Sequence, residues 1–127
     1  MLTKGASPCH ISLDEQNGIL HVANYGGGSY SAFSVDKSTG VILEEIFFEA
    51  YGEGSNVVPD RQADAHAHMA FFIKDFIYVV DLGSDKIHHY QVWKHFQSLT
   101  GVNVMEVGLD ILLDEAQFGS KYNFDCN

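Results

Sequence analysis

Two stretches of the chain read as copies of one another, 57 residues apart. The first is ILHVANYGGGSYSAFSV, from Ile19 to Val35; the second is FIYVVDLGSDKIHHYQV, from Phe76 to Val92. Leu20 falls on Ile77, Val22 on Val79, Gly26 on Gly83, Phe33 on Tyr90 and Val35 on Val92. Each copy has an apolar strand, an Asn or Asp, a glycine-containing turn, and a strand that alternates apolar and polar residues. Short β-prone runs separated by turn residues point to an all-β chain.

Each copy is preceded by a further short strand that begins at a histidine: HISLDEQNG from His10 and HMAFFIKD from His68. In the first copy DKSTG makes a tight turn and VILEEIFFEA, Val41 to Ala50, supplies a fourth strand. TGVNVMEVG offers the second copy its fourth. Four-stranded units repeated along a chain predict a β-propeller, whose usual period is roughly 40–50 residues. The longer spacing here comes from YGEGSNVVPDRQADA, a loop of the length that often carries function. The expectation is a partial β-propeller of about two four-stranded antiparallel blades. Residues 5–50 form the first blade, 51–65 the inserted loop and 66–107 the second blade. A divergent tail over 108–127 is irregular or short-helical, since LDILLDEAQFG has helical spacing. Two blades leave open strand edges, through which self-association is possible.

Charge narrows the functions. The formal net charge is −10, which argues against nucleic acid, since phosphate backbones are held by clustered Lys and Arg. It argues equally against an anionic membrane surface. Cys9 and Cys126 sit near opposite ends with no metal-binding spacing and read as two thiols in a reducing compartment. MLTKGASPCH lacks the apolar core of a signal peptide, and no apolar run approaches the roughly 18 residues of a membrane span. The expected setting is the cytoplasm.

The stretch NVVPDRQADAHAHMAFF holds the one arginine of the chain, Arg61, followed by Asp64, His66 and His68 on alternate positions. On a strand, alternate side chains share a face, so these three are expected to point one way. A histidine pair titrates near working pH and suits proton transfer. A planar guanidinium matches phosphate or carboxylate. A His-x-His on a strand more often serves ordinary hydrogen bonding. Asp64, His66 and His68 are also ligand types that zinc accepts, but no longer motif accompanies them and no metal is expected. His88 and His89 read as solvated. The glycine run of YGGGS lacks phosphate-loop spacing and reads as a tight turn capped by Asn24.

Five motifs in order resemble the lactonase family of seven-bladed propellers, the cycloisomerase-type 6-phosphogluconolactonases. They are Pro8-Cys9-His10, Ala23-Asn24-Tyr25-Gly26-Gly27-Gly28, Pro59-Asp60-Arg61-Gln62, His66-Ala67-His68 and Asp81-Leu82-Gly83-Ser84-Asp85. The resemblance covers about residues 5–92. It departs from the family pattern at Val58, where Asn is usual, and at Ala65, where Pro is common; the family's later blades are absent. It implies hydrolysis of 6-phospho-glucono-lactone, a small anionic substrate, without a cofactor. His66 and His68 are then the catalytic pair. Arg61, Gln62, Asn24 and His10 bind substrate. Asp64, Asp81 and Asp85 stand behind them, Asp81 either on turn amides or orienting a histidine. A muconate-type lactonizing cycloisomerase and a non-catalytic propeller fragment are the alternatives.

Overall fold

The structure, a computed structural model, describes residues 2–91. Strands β1 (Pro8–Asp14), β2 (Ile19–Asn24), β3 (Ser29–Val35) and β4 (Ile42–Ala50) form one antiparallel sheet in chain order. A single-turn helix, α1 (Pro59–Gln62), follows. Strands β5 (Ala67–Ile73), β6 (Phe76–Asp81) and β7 (Lys86–Gln91) form a second antiparallel sheet. The fourth strand expected of the second blade and the tail fall outside the described residues.

The repeat holds at the level of register. Leu20 pairs with Phe33 as Ile77 pairs with Tyr90, and Val22 with Ser31 as Val79 with His88. Both first strands also carry a bulge at the same place, between Pro8 and His10 in β1 and between Ala67 and Met69 in β5. One extra residue on a strand turns the pattern over. The β1–β2 turn, residues 15–18, is also two residues longer than the β5–β6 turn, residues 74–75, so the match between the first strands sets Pro8 on Ala67 and Cys9 on His68, rather than His10 on His68. The strand also starts one residue after His66. So the expectation that Asp64, His66 and His68 share one strand face is corrected. Ala67 and Ala70, three apart, both turn inward, and Phe72 packs on the core beside them.

The two sheets meet face to face. Ile19, Ala23, Tyr30 and Ala32 of the first sheet form one buried cluster with Ala67, Ala70, Ile77, Val79 and Tyr90 of the second. The rings of Tyr30 and Tyr90 lie 5.4 Å apart, and Phe47 closes the cluster 5.2 Å from Tyr90. Each phenol that enters this core finds a partner, as buried hydroxyls require. Tyr90 donates to Glu49 Oε2 at 2.6 Å and lies 2.9 Å from the hydroxyl of Tyr51. Tyr30 lies 2.8 Å from Nδ1 of His21.

Side chains from β1 also stitch the first sheet to β5. The Cys9 thiol donates to His68 O at 3.2 Å, and Ser12 donates to Ala70 O at 2.8 Å. The Ala70 amide donates to Nδ1 of His10 at 3.3 Å. These bonds satisfy backbone groups on the side of β5 away from β6.

The loop between the sheets is folded, not loose. Gly54 donates to Ala63 O, Asn56 to Gln62 O and Ala65 to Gly52 O, while Ser55 donates to Gly83 O in the β6–β7 turn. The close approach demands glycine at Gly83, where a Cβ would fall on the Asp64 carbonyl. Gly28 is the counterpart on the first sheet: its φ is +53° and a Cβ would strike the Ala65 carbonyl. The turns carrying both glycines thereby seat the segment 64–66.

Candidate active site

His66 and His68 flank the ring of Tyr25, which projects from the β2–β3 turn of the neighbouring sheet. His66 stacks on it with centroids 4.5 Å apart and planes inclined by 13°. His68 meets the same ring edge-on at 6.0 Å. The main-chain carbonyl of Tyr25 lies 2.9 Å from His66 Nδ1. A carbonyl only accepts, so Nδ1 carries the proton and the lone pair of the neutral ring sits on Nε2. Both histidines and Tyr25 are half-buried. The bulge in β5 places His68, and the glycine turns place His66. One ring thus bridges both histidines, which strand alternation alone does not do.

Behind His66 stands Asp81, fully buried. Its Oδ1 accepts from the amides of His66 at 2.7 Å, Gly83 at 3.0 Å and Ser84 at 3.2 Å. Its Oδ2 faces the Ser84 hydroxyl and, at 3.2 Å, Nε2 of His88. Burial pushes this carboxyl up, but the bonds from His88, Ser84 and His66 outweigh it and hold the group below its ordinary range. Asp81 therefore engages turn amides and a histidine together, and that histidine is His88. The reading of His88 as solvated is corrected: it is buried and stacks on Tyr51 at 3.5 Å. His89 is half-buried between Phe76 and Tyr78.

The remaining residues separate into two groups. Arg61 on α1 is exposed, as is Asp64, which pairs through its backbone with Glu53. Gln62 is fully buried. Its Oε1 accepts from Val58 N at 2.9 Å, and its Nε2 donates to Leu82 O at 2.9 Å and Asp85 Oδ1 at 2.7 Å. Asp85 also accepts from the Ser55 hydroxyl. Gln62 and Asp85 hold the loop to the β6–β7 turn, which fits neither to touch a substrate. Asn24 is buried as well, donating to Ser29 at 3.2 Å and Ser31 at 3.3 Å. His10 is half-buried on the Ala70 amide, and burial lowers its pKa. Among the described residues, no three His, Cys, Asp or Glu side chains gather into a group fit for a metal ion.

Tyr25 is the residue that motif reading passed over. It lay within a turn motif, and only the packing of one sheet on the other brings it between two histidines.

Antiparallel blades stacked through an apolar core, with their first strands side by side, define a β-propeller. The chain belongs to the lactonase family of seven-bladed β-propellers, whose description matches residues 1–108. It is 37% identical over 90 residues to the 6-phosphogluconolactonase of Formosa agariphila, covering 69% of this chain and 25% of that one. It is likewise 37% identical over 94 residues to the 6-phosphogluconolactonase of Bacillus subtilis, covering 72% and 26%. Among solved structures, the periplasmic gluconolactonase of Pseudomonas aeruginosa superposes with a TM-score of 0.59 at 28% identity, covering 66% of this chain and 24% of that one. The chain spans about a quarter of the length of these relatives.

Proposed function

We propose that the chain supplies one wall of a lactone-hydrolysing site that takes a phosphorylated gluconolactone. The observation that carries this reading is the His66–Tyr25–His68 stack, in a chain of the lactonase family with the exposed Arg61 on the adjoining loop. His66 presents Nε2 as the base that draws a proton from the attacking water. The water oxygen bonds to the lactone carbonyl carbon, the ring C–O bond breaks, and the proton passes to the departing alkoxide. His68 stands beside it as the second proton-transfer group. Arg61 binds the phosphate through its planar fork. The cytoplasm is the setting that goes with such a substrate.

The test uses the 127-residue chain itself. Acid release from 6-phosphoglucono-lactone is followed against the spontaneous rate, and the histidine ring signals are followed by NMR as 6-phosphogluconate is added. Shifts at His66 and His68 that vanish in Arg61→Ala support the reading. A chain that neither shifts these signals nor speeds hydrolysis overturns it.

A further inference from the structure

The repeat supplies an internal comparison for the buried pair behind His66. Asp81 and His88 of the second sheet correspond to Asn24 and Ser31 of the first, at the same spacing of 57 residues. In the first sheet the pair is neutral: Asn24 Nδ2 donates to the Ser31 hydroxyl at 3.3 Å, and Asn24 Oδ1 finds no partner among the described residues. In the second sheet it is a carboxylate and an imidazole, both buried, with His88 Nε2 3.2 Å from Asp81 Oδ2. Ser84, where the first copy has Gly27, turns its hydroxyl to the same oxygen. A neutral pair thus satisfies this place in a sheet, and a buried carboxylate–imidazole pair is weak support for stability. What sets the second sheet apart is the group on the other oxygen: the His66 amide donates to Asp81 Oδ1 at 2.7 Å. His66 lies one residue before β5, outside the ladder, so this bond and the one from Leu82 N to His66 O at 3.0 Å fix its backbone.

We infer that His88 is a positioning residue for His66, acting through Asp81. The His88 ring holds Asp81 Oδ2 and keeps the carboxylate turned so that Oδ1 meets the His66 amide. That fixes the backbone from which the His66 ring reaches the Tyr25 carbonyl, and with it the lone pair on Nε2. The His88 ring is itself held from the first sheet. Tyr51 lies flat against it, with centroids 3.5 Å apart and planes inclined by 3°. The Tyr51 hydroxyl is 2.9 Å from that of Tyr90, which donates to Glu49. His88 so placed serves the proposed reading of His66 as the base, on which this role rests.

The experiment compares His88→Gln, which keeps a donor for Asp81, with His88→Leu, which does not, in the 127-residue chain without ligand. Nitrogen shifts of the His66 ring report its tautomer, amide exchange reports the bond to Asp81, and urea unfolding reports stability. Both variants lose the stack on Tyr51 and should unfold at lower urea. In His88→Leu the His66 amide should exchange faster by about tenfold or more, and the ring signals should move toward a mixture of tautomers. His88→Gln should keep both near wild type. A merely structural role would move His66 in step with stability, so equal His66 signals in the two variants, shifted or not, overturn the inference. If His88→Leu does not fold, Tyr51→Leu loosens the His88 ring from the first sheet. It should move the His66 signals, and Tyr51→Phe, which keeps the stack, should not; equal signals in that pair overturn the inference as well. Because the free chain decides the positioning, wild-type ring signals that ignore added 6-phosphogluconate count against the proposed base alone.

Discussion

The main-chain carbonyl of Tyr25 and the Nδ1 of His66 lie 2.9 Å apart, across the boundary between the two sheets. A backbone atom thus sets the tautomer, while the ring of the same residue sets the plane of the imidazole. Substitution removes only the second effect. Tyr25→Phe keeps a ring and should leave the site as it is. Tyr25→Ala removes a stack worth about 0.5–1.5 kcal/mol, so affinity for 6-phosphogluconate should fall by at most about 2- to 13-fold. Nitrogen chemical shifts of His66 report whether the tautomer survives. Equal affinity in Tyr25→Ala and wild type would show that the ring positions nothing.

Arg61 offers a sharper contrast between charge and shape. Arg61→Lys keeps the charge and loses the fork, so it should bind 6-phosphogluconate less well than wild type, and Arg61→Ala less well again. Inorganic phosphate should compete. Unchanged affinity in Arg61→Ala would leave the residue as part of the loop surface alone.

Much of the blade layout was legible before any coordinates, because the repeat and the strand alternation come from one physical cause: each sheet buries one face against the next. The strand pairings of Leu20 with Phe33 and Ile77 with Tyr90 follow from it. What was not legible came from features that alternation does not encode. A bulge breaks the alternation without changing composition, and a hairpin turn two residues shorter in the second copy shifts the alignment, so His68 matched Cys9 instead of His10. Gln62, polar and next to the arginine, looked like a ligand; one hydrogen bond within the loop and two to the β6–β7 turn engage its amide. Tyr25 gained its place only through contact between residues 41 apart in the chain.

Gln62 therefore makes a stability prediction. Gln62→Ala leaves the buried Leu82 carbonyl and the half-buried groups on Val58 and Asp85 without their partner, and the buried loss alone costs about 1–3 kcal/mol. The midpoint of urea unfolding should fall, and amide exchange should accelerate over the loop carrying Arg61. Unaltered exchange at Ser55 and Asn56 would refute the role given to this side chain.

The two seating glycines make another. Gly83→Ala places a Cβ on the Asp64 carbonyl, and Gly28→Ala adds a left-handed φ of +53° to a collision with Ala65. Both carbonyls are backbone and move only with the segment 64–66. Each variant should melt below wild type, by more than the 0.4–1 kcal/mol or so that a tolerated Gly→Ala gains. His66 ring signals should shift in both. Gly40→Ala is the control: a Cβ there meets nothing within 4 Å, so only its φ of +74° opposes the change.

The last prediction concerns pH. His21 is fully buried between the sheets, beside Tyr30 and Phe72. Burial lowers its pKa from 6.5 to about 4, against the opposing field of Asp14. The unfolded chain then binds more protons than the folded one between these two values. Stability is fully present above pH 6.5 and is lost as pH falls toward 4. The gap corresponds to about 3 kcal/mol at most. His10, lowered by burial, contributes with the same sign. Asp81 acts in a separate window: its depressed folded pKa removes stability only as pH falls below the ordinary 3.8. Urea unfolding at pH 7, 5.5 and 4.5 separates these terms. Wild type should weaken steadily across the series. His21→Gln, which keeps a polar partner for Tyr30 but cannot take up a proton in this range, should start lower at pH 7 and show a flatter profile. Equal slopes in the two proteins would place the pH dependence elsewhere.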